Sequence, residues 1–129
     1  MGSVVLDASA VIALLTPEDA HHRRMVDALR DLGRHVPHVP AVAFAEVLVG
    51  ALRRGDRYPE VVEGFCNDPG RVVDLTEAMA RGGAGLRAAN PGLGLADALI
   101  IATGEALEAD AIVTADASWT SVSNRVRVI

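Results

Sequence analysis

The stretch SVVLDASAVIALL, Ser3 to Leu15, decides how the fold is read. Ser3 to Leu6 is a short β-branched run, and the apolar spacing after Asp7 suits a helix that breaks at Pro17. The order is strand, acid, helix, with the acid where the chain leaves the strand. Working outward, Glu18 to Leu32 reads as a surface helix stopped by Gly33, and RHVPHVP as a loop. Ala41 to Arg54 is a strongly apolar helix ending at Gly55, followed by a short helix over Tyr58 to Cys66. Arg71 to Leu75 resembles a strand, and Thr76 is a candidate cap for a helix weakened by Gly82, Gly83 and Gly85. Leu95 to Ala109 is a further helix, DAIVTAD from Asp110 is a buried strand with its exit, and Val126 to Ile129 is a final edge strand. Strands alternating with helices imply an α/β fold whose parallel sheet is covered on both faces. No repeat, low-complexity tract or linker divides residues 1–129, so one domain is expected.

Half of the 129 residues are apolar, enough for one substantial core. A net charge of −5 excludes a global basic field, so any nucleic-acid site must be local. All twelve basic residues are arginine, which removes every mechanism that needs an amine. The single cysteine, Cys66, cannot form an internal disulfide, and the start lacks the pattern of a signal peptide, so a cytoplasmic location is expected. The longest apolar stretch, AVAFAEVLVGAL, spans twelve residues and contains Glu46, too short and too charged for a membrane span.

The acids separate into two kinds when tested against their helical neighbours. Asp27 has Arg23, Arg24 and Arg30 within one turn, the ordinary charge-paired arrangement. Asp97 has Leu93, Gly94, Ile100 and Ile101 instead, and Glu46 has Val42, Ala43, Val49 and Gly50, so Glu46 is expected on the face that packs against the core. Asp7 follows VVL and Asp116 follows AIVTA, which places both at the carboxyl edge of a parallel sheet, where such folds hold their sites. Any one of these acids is equally a helix cap or a carboxylate satisfied by backbone groups. Four together repel one another and resist burial. With no lysine, and no arginine at helical spacing, a hard divalent cation such as Mg²⁺ or Mn²⁺ is the economical counter-charge. Ser9 and Thr114 are placed to support the acids by hydrogen bonding, or to act as local turn residues.

VVLDASAVIALL, AVAFAEVLVGAL, GLGLADALIIATGEAL and AIVTADASW fall in the order and spacing of a PIN-domain ribonuclease. The whole chain resembles a VapC-type toxin of a bacterial toxin–antitoxin pair. No single motif is specific, because an Asp after a strand is common; the joint signal lies in four of them in order. The resemblance puts the family's acidic quartet on Asp7, Glu46, Asp97 and Asp116, its supporting hydroxyl on Ser9 and the Thr of its T-x-D turn on Thr114. It implies a three-layer α/β/α fold with a central parallel sheet of four to five short strands. It also implies Mg²⁺- or Mn²⁺-dependent cleavage of single-stranded RNA, leaving a 5′-phosphate and a 3′-hydroxyl. Asp7, Asp97 and Asp116 would then be metal ligands, directly or through water, with Glu46 ligating or orienting the attacking water. A homodimer inhibited by a cognate antitoxin protein is part of the same expectation.

RNA must approach this acidic pocket. Setting aside the four site acids leaves thirteen acidic residues against twelve arginines, so the remaining surface is nearly neutral. Arg53, Arg54 and Arg57 are the local basic cluster that could grip phosphate, or a favourable charge at a helix C-terminus. Trp119 and Tyr58 are candidates for stacking on bases but equally for packing. His21, His22, His35 and His38 could suggest zinc, although the first two are adjacent and diverge on a helix. Receiver domains and haloacid-dehalogenase-type phosphatases also place aspartates at strand ends with Mg²⁺, but both normally need a lysine. The alternative from another class is a catalytically idle PIN module that only binds RNA or protein.

Overall fold

The computed structural model describes residues 2–67 and 70–129. In chain order it contains β1 (Ser3–Leu6), α1 (Ala8–Leu15), α2 (His22–Leu32), β2 (Val36–Pro40), α3 (Ala41–Arg54) and α4 (Tyr58–Asn67). There follow β3 (Val72–Val73), α5 (Glu77–Ala89), α6 (Leu95–Ala106), β4 (Ala111–Thr114), a 3-10 turn at Ala117–Ser121 and β5 (Val126–Val128). All four strand pairings are parallel, in the order β3-β2-β1-β4-β5, and six helices flank the sheet, as the three-layer expectation requires. Val4, Val5 and Leu6 are buried, as is every residue of β4, so the two central strands have no solvent face. That is why they read as continuous apolar runs rather than alternating ones.

The strand order reverses between β1 and β4, because the chain leaves β1 toward β2 and β3 on one side and returns to β4 and β5 on the other. Such a switch point opens a crevice beyond the carboxyl ends of the two strands.

The loop expected at RHVPHVP is in fact strand β2. Its prolines are tolerated because each falls where a ladder is missing. Pro37 precedes the first pairing with β3 (Val39 with Val72), and Pro40 follows the last pairing with β1 (Val5 with His38). The helix expected from Glu18 begins only at His22, and β3 is two residues long rather than five. The glycines of α5 do not shorten it, and Gly82 and Gly83 let α5 and α6 approach. A Cβ on Gly83 would lie 2.6 Å from Leu99 Cδ2, and one on Gly82 3.4 Å from Ala102 Cβ. Thr76 caps α5 as expected, its hydroxyl accepting from Met79 N at 3.2 Å. Among the described residues no helix is long and apolar enough to cross a membrane.

Candidate functional site

Asp7 stands at the end of central strand β1, where its backbone N–H extends the ladder to Val113 O at 3.0 Å. Its side chain is 7% exposed. Oδ1 accepts from Ala8 N at 2.7 Å, capping α1, and Oδ2 accepts from Ser9 Oγ at 2.7 Å and Thr114 Oγ1 at 2.8 Å. Each hydroxyl also receives a backbone donor, Ser9 from Ala115 N at 3.0 Å and Thr114 from Asp116 N at 3.1 Å. Ser9 and Thr114 thus tie the ends of β1 and β4 into one network in which the Asp7 carboxylate has a fixed orientation.

Asp116 leaves β4 two residues beyond its end and caps the 3-10 turn. Its Oδ1 accepts from Ser118 N at 2.9 Å and Ser118 Oγ at 2.6 Å. Asp97 sits in the first turn of α6, whose cap position is Gly94, so a capping role does not explain it. Glu46 lies in the second turn of α3, directly after β2. It does not project from the core face: Ala43, Val47 and Ala51 form that face, and Glu46 is exposed at its edge. The correction follows from α3 carrying apolar residues on more than one side, with Val49 and Leu52 exposed.

The four acids influence one another. Desolvation in apolar surroundings raises the Asp97 pKa, the charges of Asp7 and Asp116 raise it further, and the Trp119 indole opposes the rise. The Glu46 pKa is raised by desolvation first and then by Asp7 and Asp97. Glu46 thus feels the charges of Asp7 and Asp97, and Asp97 those of Asp7 and Asp116. No ion pair among the described residues uses any of them; the arginines pair with Glu18, Asp27, Asp31, Glu77 and Glu105 instead.

A cavity of about 350 Å³ opens beside Asp97 and Asp116, lined also by Asn90, Leu93, Ser118 and Trp119 among others. Asn90 and Ser118 were not anticipated. A small polar residue two positions after a strand-end Asp is the signal that could have drawn attention to Ser118, because it completes an Asx turn. Among the described residues no three His, Cys, Asp or Glu side chains are arranged to hold a metal ion by themselves. The donor set still fits a hard cation that retains water: every donor is oxygen, none is neutralised, and Mg²⁺ commonly binds through one or two carboxylates with water filling its other positions.

Other candidates lie elsewhere. Arg54 pairs with Glu18 at 2.9 Å and stacks 4.3 Å from the Tyr58 ring, whose hydroxyl hydrogen-bonds Thr16. Arg53 and Arg57 are exposed, Arg53 about 10 Å along α3 from Glu46 at the helical rise. His22 Nδ1 meets Ala13 O at 2.7 Å, and His35 Nε2 lies 3.2 Å from Asp110.

The chain matches the family model of the PIN domain over residues 4–124. No curated protein matches it significantly in sequence. Among solved structures, VapC20 of Mycobacterium tuberculosis, described as a sarcin–ricin-loop-cleaving toxin, superposes with a TM-score of 0.78 at 18% identity, covering 92% of this chain and 94% of its own. A toxin–antitoxin complex from Klebsiella pneumoniae gives 0.78 at 20% identity, with 98% and 97% covered. DNA-bound VapBC from Salmonella typhimurium gives 0.68 at 20% identity, with 100% and 98% covered. At these identities the shared property is the fold.

Proposed function

The chain belongs to the PIN-domain family, and from that membership we propose that it is a divalent-metal-dependent endoribonuclease, cutting single-stranded RNA as the toxin of a toxin–antitoxin pair. The observation that supports this most directly is that Asp7, Glu46, Asp97 and Asp116, from four separate segments, are near enough for Glu46 and Asp97 to feel the others' charges, with no ion-pair partner among the described residues. A protein that needed Glu46 and Asp97 only for folding would satisfy them, as it satisfies Asp7 and Asp116.

Asp7, Glu46, Asp97 and Asp116 would together hold Mg²⁺ or Mn²⁺, directly or through water. When bound, the ion supplies positive charge against the scissile phosphate and the leaving oxygen, and a lower pKa for the attacking water. Ser9 and Thr114 hold Asp7 in one orientation through Oδ2, leaving Oδ1, which accepts from Ala8 N alone, with a free lone pair. Glu46, exposed and with a raised pKa, is the acid best suited to take a proton from the attacking water. The cavity beside Asp97 and Asp116 offers room for substrate next to two of the four acids.

Two of the structural neighbours are described as a toxin–antitoxin complex and as VapBC on DNA, which supports a cognate antitoxin protein as partner; a homodimer follows from the family resemblance alone. Light scattering at rising concentration tests the dimer. The activity is tested with end-labelled single-stranded RNAs, including the sarcin–ricin loop named for the M. tuberculosis relative. Cleavage should require Mg²⁺ or Mn²⁺ and stop in EDTA. Undiminished cutting in EDTA removes the metal from the proposal, and RNA binding without cutting under any metal leaves an idle module.

A further inference from the structure

Trp119 is the only tryptophan of the chain and is 1% exposed, yet its indole Nε1–H is buried without a hydrogen-bond partner of proper geometry. Buried indoles ordinarily place that group on an acceptor. The ring lies on the 3-10 turn that Asp116 caps and lines the same cavity as Asp97 and Asp116. Among the described residues no side-chain hydrogen bond reaches the Asp97 carboxylate, its helix is capped by Gly94 without any side-chain bond, and the indole lines the same cavity. An unused buried donor and an unsupported half-buried acceptor therefore face the same space.

We infer that Trp119 is a positioning residue whose Nε1–H holds one oxygen of Asp97 and turns the other toward Asp7 and Asp116. A phenyl ring would fill much of the same volume but could not do this, so the choice of tryptophan at this core position has a polar reason. Asp116 takes part indirectly: by capping the turn through Ser118 it sets where the indole points. The consequence for catalysis rests on the metal function proposed for the acids, since outer donors that orient a ligating carboxylate are typically worth 10–100-fold in metal affinity.

The test exploits the single tryptophan, which gives one indole resonance in a ¹H–¹⁵N spectrum. In EDTA, Asp97→Ala should move that resonance upfield, as loss of a charge-assisted hydrogen bond does. Trp119→Phe should raise the Mn²⁺ dissociation constant by about tenfold in calorimetric titration. Incorporation of 3-benzothienylalanine at position 119, with sulfur in place of the N–H at nearly the same shape, should do likewise without lowering the melting temperature in EDTA. An indole resonance unmoved by Asp97→Ala, or parental Mn²⁺ affinity in the benzothienylalanine protein, overturns the inference. If the parent protein binds no Mn²⁺, the metal function fails by itself, and the Asp97→Ala shift still decides whether the indole holds the carboxylate.

Discussion

Asp97→Asn preserves the outline of a side chain while removing one charge that Asp7 and Asp116 oppose. Asp97 makes no ion pair, caps no helix, and has its pKa held above the ordinary 3.8 by desolvation and by Asp7 and Asp116. The folded chain therefore keeps this proton at a pH where the unfolded chain has released it, so ionisation at neutral pH opposes folding. The side chain is half-buried, which leaves the repulsion partly screened, and its relief should stabilise the fold by about 0.5–1 kcal/mol at pH 7. For a domain of this size that is a rise in Tm of roughly 2–5 °C in EDTA. The gain should shrink as pH falls through the raised value toward the ordinary one and vanish below it, where folded and unfolded parent are both protonated. Metal reverses the ranking. At ten times its dissociation constant Mg²⁺ would add about 1.4 kcal/mol to the parent and much less to the variant, while cleavage by the variant falls by at least about 100-fold. Melting scans in EDTA and Mg²⁺, beside cleavage of labelled RNA, read all of this. An Asp97→Asn protein that melts several degrees below the parent in EDTA yet cuts RNA at the parental rate would show that Asp97 is there for the fold.

Asp7→Asn should lower the pKa of both Glu46 and Asp97, because the Asp7 charge raises each, and carboxyl ¹³C titrations in EDTA would expose the error if neither moves. Thr114→Val removes a donor to Asp7 and an acceptor for Asp116 N, at about 1–3 kcal/mol in urea denaturation, with slower cleavage; parental stability and rate would speak against the network. Gly83→Ala should destabilise by about 1–3 kcal/mol, since its Cβ would sit 2.6 Å from Leu99 Cδ2 and 3.2 Å from Leu99 Cα. Gly50→Ala, in a helix with open space around it, should stabilise by roughly 0.5–1 kcal/mol, and urea midpoints in the reverse order would refute the packing. If Arg53 and Arg57 grip RNA, replacing both with Ala should flatten the salt dependence of log KM by about 0.7 per lost phosphate contact; an unchanged slope returns them to charges near a helix C-terminus.

Much of the fold was legible because its central elements carry concordant local signals. The runs in β1 and β4 are apolar without alternation, and α3 and α6 are long enough for their period to show. Strand β2 was illegible for a definite reason: two of its five residues are prolines, and only the pairing frame set by β1 and β3 shows that neither occupies a required donor position. Gly82 and Gly83 of α5 misled in the same way, since their meaning is the closeness of α6, a tertiary fact. At the candidate site, asking each acid for a helical counter-charge singled out Asp97 and Glu46 from residue order alone. The same test misplaced Glu46, because a helix with apolar residues on two sides does not disclose which side meets the core. The orphaned indole N–H of Trp119 leaves no trace in sequence, where a buried aromatic reads only as volume.

The four carboxylates are not equivalent in what the fold gives them. Asp7 holds three donors and caps α1, so neutralising it removes helix and network support along with charge, and a loss of activity there cannot be assigned. Asp116 likewise organises its own turn, and Glu46 is relieved by solvent at the edge of α3. Asp97 alone combines partial burial, two like-charged neighbours and no donor beyond an imperfectly placed indole. The repulsion of the site therefore falls mainly on Asp97, and a substitution there separates the demands of folding from those of the chemistry. By the same reasoning Trp119 is the neighbour whose polarity should matter most, because beyond solvent and the N-terminus of α6 it is the donor that lines the cavity with Asp97.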